Sequence, residues 1–276
     1  MSEPAEVRVA PEILDFYGSA FDESTRLTSS ADGALELVRT QEILRRRLPP
    51  APAKVIDIGG GAGVHAAWLV RDGYDVHLVD PVARHVEQAA ATGCTTELGD
   101  ARALTADADA YDAALVLGPL YHLLERPDRD LALTEARRVV RPGGIVAAAA
   151  IGRYASLFEH TATTLLAKDR VRDAVADILA TGRHDPGRKG FTAAYFHTPA
   201  ELAQEMTAAG LTDITVLAIE GPAWALLKAT EQHTGSPLSP DSPMFTAALT
   251  AARAAEPYPE LLSAASHLLA VGVVPG

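Results

Sequence analysis

The sequence predicts a doubly wound α/β fold, a mostly parallel sheet covered by helices on both faces. Three observations lead there. Short apolar runs alternate with segments of helical periodicity through residues 54–150. A glycine-rich turn, Gly59-Gly60-Gly61-Ala62-Gly63, joins the first apolar run to the helix that follows it. Two more apolar runs, LTDITVLAIE and LLAVGVV, stand near the end with helical and Pro-rich sequence between them, as expected of closing strands separated by an insert.

The elements follow in order. Pro11–Ala20 and Asp32–Leu48 both read as helices. In the second, Ala34, Leu35, Val38, Ile43, Leu44 and Leu48 recur at helical spacing, and Pro49-Pro50 stop it. A linker, PPAPA, leads to the strand VIDI, then a helix over Val64–Asp72, the strand VHLVD and a helix over Ala83–Ala91. The strand CTTEL, a loop, the strand YDAALVL, a helix over Pro127–Val140 and the strand GIVAAAA complete the alternation, which requires right-handed crossovers. After Ile151 the rhythm changes to one long predicted helix, Ser156–Ala180, and a basic, Gly-containing loop, TGRHDPGRKG. A helix over Pro199–Ala209 begins at Thr198, with Glu201 placed for a capping box. Inserts of this kind commonly wall a ligand pocket at the carboxyl ends of the strands.

Composition narrows the classes. A chain of 276 residues, 48% hydrophobic and 22% charged, has the make-up of a globular domain, either one large unit or one unit with an insert. No apolar run approaches the ~20 residues needed to span a bilayer. The acidic opening MSEPAEVRVAPE is not a secretory signal, so a cytoplasmic location without membrane association is expected. Cys94 stands alone, which leaves no internal disulfide and no thiolate metal cluster. With a formal charge of −12 and no basic stripe, a nucleic-acid partner is not expected. Arg45-Arg46-Arg47 ends a helix, where positive charge complements the helix dipole. Asp and His lack H-x-x-H or D-x-D spacing, so no metal is predicted. Nothing in the sequence specifies an oligomeric state.

The glycine turn admits two readings. Gly61-Ala62-Gly63-Val64-His65-Ala66 fits a dinucleotide fingerprint, and Asp80, ending the next strand, could hold the ribose of NAD. Asp57, just before the glycines, speaks against a pyrophosphate and for a cationic sulfonium ligand with a free amino group. Gly99-Asp100-Ala101 after the third strand could meet an adenine. Leu117-Gly118-Pro119-Leu120-Tyr121-His122-Leu123 ends the fourth strand, and Arg141-Pro142-Gly143-Gly144 precedes the fifth.

On these residues, with Phe16-Tyr17, Arg26-Leu27, IGRYASL, AYFHTPAEL and IEGPAW, the sequence resembles the class I S-adenosylmethionine-dependent methyltransferases, in the bacterial branch that acts on small molecules. The resemblance implies a Rossmann-like seven-stranded sheet with an antiparallel last strand, and S-adenosylmethionine as cofactor. It divides the chain into an N-terminal helical lid (1–50), a cofactor core (51–152, 198–220 and 268–276) and a helical substrate cover (153–197 and 221–267). It also implies residue roles. Gly59, Gly61 and Gly63 would lie under the methionine part, with Asp57 nearby. Asp80 and Pro81 would meet the ribose, Asp100 and Ala101 the adenine, and the Leu117 carbonyl the amino group. Tyr17 and Arg26 would close over the cofactor, Arg26 pairing with its carboxylate. The expected acceptor is a polar small molecule such as a specialised metabolite. NAD-linked oxidation, and cofactor binding without methyl transfer, are the alternatives.

Methyl transfer from a sulfonium needs alignment and a deprotonated nucleophile. His122, just past the fourth strand, is the candidate base, with a purely structural histidine as the alternative. Tyr121, Arg153, Tyr154, Tyr195, His197, Glu220 and Trp224 are the candidate acceptor residues, expected on one rim.

Overall fold

Alternate residues of the central strands feed two apolar cores, one on each face of a single sheet. Ile56, Ile58, Val146, Ala148 and Ala150 enter one. Val55, Ala147, Ala149, Leu269 and Val271 enter the other. The computed structural model describes residues 25–184 and 192–276. The expected helix Pro11–Ala20 and Tyr17 lie outside the described residues.

In chain order the described residues form α1 (Ala31–Arg47), β1 (Lys54–Ile58), α2 (Val64–Arg71), β2 (Asp75–Asp80), α3 (Ala83–Ala90), β3 (Thr95–Leu98), β4 (Tyr111–Val116), the one-turn α4 (Pro119–His122), α5 (Arg126–Val139) and β5 (Val140–Ile151). Then come α6 (Ala155–Ala162), α7 (Asp169–Thr181), β6 (Arg183–His184), β7 (Ala194–Tyr195), α8 (Pro199–Ala208), β8 (Thr212–Ala218), α9 (Trp224–Thr234), α10 (Pro243–Ala255) and β9 (His267–Val273). Seven strands make the main sheet in the order β3-β2-β1-β4-β5-β9-β8. β9 runs antiparallel to both neighbours, as expected, with Ile151 opposite His267 and Ala218 opposite Leu268. The order reverses between β1 and β4, so a cleft opens there at the carboxyl ends of the strands.

α1 joins two parts of the molecule. Ile43, Leu44 and Leu48 pack into the sheet core, while Ala31 and Leu35 pack with Trp224, Leu227 and Phe245 of the insert. The second half of the expected lid is therefore part of the core. The expected long helix Ser156–Ala180 is two helices. Thr164 turns left-handed (φ +60°) between them. Around it Thr161 and Thr163 donate their hydroxyls to the carbonyls of Leu157 and Glu159 (2.7 and 2.9 Å), a local bonding pattern that weakens helix continuation. The capping box at Thr198–Glu201 forms as expected. The antiparallel pair β6–β7 was not expected from its two-residue strands. No helix among the described residues is long and apolar enough to cross a membrane.

Candidate active site

The cleft at the strand-order reversal encloses a cavity of about 350 Å³. The glycine turn forms its floor. Gly59 and Gly61 have φ of +68° and +58°, and a Cβ on Gly59 would come 2.5 Å from the Pro119 ring. Backbone can approach a ligand here because no side chain intervenes. Gly63, expected beside the ligand, instead caps α2 at φ +84° and packs against Ala89 of α3; it does not line the cavity.

Two carboxylates face the turn. Asp57 is fully buried, and among the described residues neither of its oxygens has a hydrogen-bond partner. Burial, helped by the Asp80 charge, raises its carboxyl to about 7. An unpaired buried carboxylate on a cavity wall is a strong demand for a cationic ligand. Asp80 ends β2 and accepts from the N–H groups of Gly61 and Val82 (both 2.9 Å), with His85 Nδ1 3.0 Å away. Each oxygen keeps acceptor capacity for a hydroxyl. Pro81, Ala101 and Leu117 line the same end of the cavity. Asp100 lines it too, but its carboxylate is engaged by Arg102, which bridges on to Asp128 at 3.1 Å.

His122 lines the cavity from the end of α4, its ring 4.6 Å from that of Tyr121 and its Nδ1 3.3 Å from Thr192 Oγ1. Burial pushes its imidazole down to about 4, so it is neutral near pH 7 and has the form a proton acceptor needs.

A charged group closes another part of the cavity. Arg26 lines the cavity and pairs with Glu36 through two bonds of 2.9 and 3.0 Å. His267 Nδ1 lies 2.5 Å from Glu220 Oε1 and 3.5 Å from Glu36 Oε2. Burial opposes both charges. Arg26 and His267 nevertheless bring the Glu36 carboxyl down to about 2, and Glu36 and Glu220 raise the His267 imidazole to about 9. Glu36, Glu220 and His267 are the one group among the described residues whose ligand atoms could hold a metal, lying within 4.8 Å of one another. Arg26 already occupies both Glu36 oxygens, so the arrangement is that of an ion-pair network.

The residues expected to form the acceptor rim go elsewhere, Tyr121 excepted. Arg153 is buried and binds the Phe196 carbonyl (2.8 Å) and both Glu201 oxygens (2.8 and 2.7 Å). Tyr195 donates to Glu201 (3.0 Å), and the Arg129 guanidinium lies 3.9 Å above its ring. His197 is fully buried against Glu205 (3.1 Å), which also takes Arg129. Arg129 in turn donates to the carbonyls of Leu123 and Leu124 (both 2.9 Å), two residues of the cavity wall. These side chains brace the wall from behind because charged groups this deeply buried need partners, which the protein itself supplies. Trp224 is buried in the insert's core and donates to the Ala264 carbonyl (2.9 Å), while Tyr154 is exposed at the start of α6. Glu220 stands behind His267, outside the cavity.

Four residues that sequence reasoning missed complete the site: Glu36, His65, His85 and His267. Glu36 and Thr40 are polar positions one turn apart on an otherwise apolar stripe of α1, the one signal that pointed to them.

A strand-order reversal, a glycine floor, a carboxylate ending β2 and an Asp57 buried without a partner among the described residues make an α/β cleft suited to a nucleoside-bearing cation. Residues 55–144 match the family model described as a methyltransferase domain. An uncharacterised methyltransferase of Mycobacterium tuberculosis is 37% identical over 120 residues, 42% of this chain and 48% of that protein. The matched segment thus spans about half the length of that relative. A ubiquinone biosynthesis O-methyltransferase of Methylocella silvestris is 30% identical over 185 residues, 63% of this chain and 65% of that protein. A SAM-dependent methyltransferase of Thermotoga maritima, described as a possible histamine N-methyltransferase, shares the fold at a TM-score of 0.60 and 18% identity, over 95% of this chain and 99% of that one. Residues 55–144 thus form a methyltransferase domain, on the fold of S-adenosylmethionine-dependent methyltransferases, and S-adenosylmethionine is its cofactor.

Proposed function

We propose that this chain transfers the methyl group of S-adenosylmethionine to a polar small molecule by in-line displacement without a metal. The observation that carries the reading is Asp57. A buried carboxylate with no partner among the described residues, beside a backbone floor, suits a ligand with both an ammonium and a sulfonium. Asp80 would take the ribose hydroxyls, with Pro81 beside it, while Ala101 and Leu117 would flank the adenine. Acceptor chemistry belongs at Tyr121 and His122, where the neutral imidazole would accept the nucleophile's proton. A positioned base of this kind typically contributes about 10²–10⁴-fold. The small-molecule acceptor is supported by the negative net charge and by the likeness to ubiquinone biosynthesis O-methyltransferases.

A metabolite screen with S-adenosylmethionine, read by formation of S-adenosylhomocysteine, tests the reading. Acceptor-dependent product that disappears in Asp57→Leu is expected. Tight cofactor binding with no acceptor anywhere in a broad screen would instead mark a binder that does not methylate.

A further inference from the structure

The strand ends beyond β4 carry polar equipment that the cofactor does not explain. His267 opens β9 opposite Ile151, the last residue of β5, and Glu220 follows closely after β8. Glu220 is buried and spends both oxygens on His267: Oε1 on the ring Nδ1 (2.5 Å) and Oε2 on the backbone N–H (3.0 Å). Such double attachment fixes the ring's orientation and leaves Nε2 as the ring nitrogen not engaged by Glu220 or Glu36. His267 lines the cavity while Glu220 does not, so the carboxylate stands behind the histidine.

We propose that His267 docks the methyl acceptor, its Nε2–H binding an anionic oxygen, so that the acceptor is an organic acid. This rests on reading the cavity as a methyl-transfer site. The docked oxygen is a handle, separate from the nucleophile that His122 would serve. Arg26 adds a second cation to the cavity wall, and its partner Glu36 lies beside His267. His65 and His122, which also line the cavity, are pushed down to about 4 by burial and are neutral near pH 7. His267, held at about 9 between Glu36 and Glu220, remains a cationic donor across that range.

The test uses the full chain saturated with S-adenosylhomocysteine. It is titrated calorimetrically with a panel of aromatic and aliphatic carboxylates and their matched primary amides. If the chain does not bind S-adenosylhomocysteine, the proposed function itself falls and the acid handle falls with it. Once the complex forms, at least one acid should bind about tenfold or more tighter than its amide. In His267→Gln that acid should weaken by about 10- to 100-fold, as for a lost charge-assisted hydrogen bond, while amide and cofactor affinities hold. On the wild-type chain, nuclear magnetic resonance of labelled histidine should show the His267 ring signals shifting with the acid and not with the amide, a readout that needs no variant. No acid preference in the panel, or a preference that survives His267→Gln, overturns the proposal. So does a fall in S-adenosylhomocysteine affinity in that variant, which would make the cofactor's own carboxylate the ligand.

Discussion

Over β1 and β2 the cleft is made largely of backbone; over β5, β8 and β9 it is made of side chains. In the first region Gly59, Gly60 and Gly61 present peptide groups, and Asp80 is fixed by N–H groups of Gly61 and Val82 from its own neighbourhood. In the second, Arg26, Glu36, Glu220 and His267 come from four separate segments and fix one another. Shared backbone architecture suits a cofactor common to a family, whereas side chains can change without disturbing the sheet. On the proposed function, acceptor choice would fall to the second region.

His122, at the seam between the regions, should give the largest effect. His122→Ala should lower turnover about 10²–10⁴-fold with cofactor affinity nearly unchanged, measured by steady-state kinetics and calorimetry. A parallel loss of affinity would move His122 into the cofactor half.

Next comes the brace behind the wall. Glu205→Ala leaves Arg129 buried without its partner and His197 without its carboxylate, which should cost about 3–5 kcal/mol of stability in denaturant titration. A cost below about 1 kcal/mol would show that Arg129 finds water and that the Leu123–Leu124 wall does not depend on the pair.

Asp57 sharpens the cofactor half through pH. Its folded-state carboxyl near 7 lies above the unfolded value of 3.8, so it favours the fold fully below pH 3.8 and loses that contribution as pH rises through 7. Asp57→Asn should therefore be more stable than the parent at pH 8 by on the order of 4 kcal/mol, and the gap should close near pH 4. Cofactor binding should run the other way, tightening in the parent as pH rises through 7 and flat in the variant. Asp80→Ala should be the mildest, weakening S-adenosylhomocysteine by about 1.5–3 kcal/mol. Unchanged binding would remove Asp80 from the ribose.

The same contrast explains what the sequence disclosed. The strand alternation, the glycine turn and Asp80 are local features, and the sheet, the cleft and the cavity lining at Gly59, Gly61 and Asp80 were legible from them. Arg153, after the fifth strand, and Tyr195 and His197, just before the helix over Pro199–Ala209, were recognisable as candidates. They belong to a buried ion-pair network with Arg129, Glu201 and Glu205, and nothing in the spacing linked these residues. His267 and Glu220 become neighbours only because β9 inserts between β5 and β8, a pairing no local pattern encodes. Thr164 ended a helix that periodicity alone would have continued.

The most direct test of the central claim is calorimetric titration of the full chain with S-adenosylmethionine and, separately, with NAD. A dissociation constant of about 1–10 μM for S-adenosylmethionine, with no heat from NAD, is the expected result. Binding of NAD without binding of S-adenosylmethionine would contradict it.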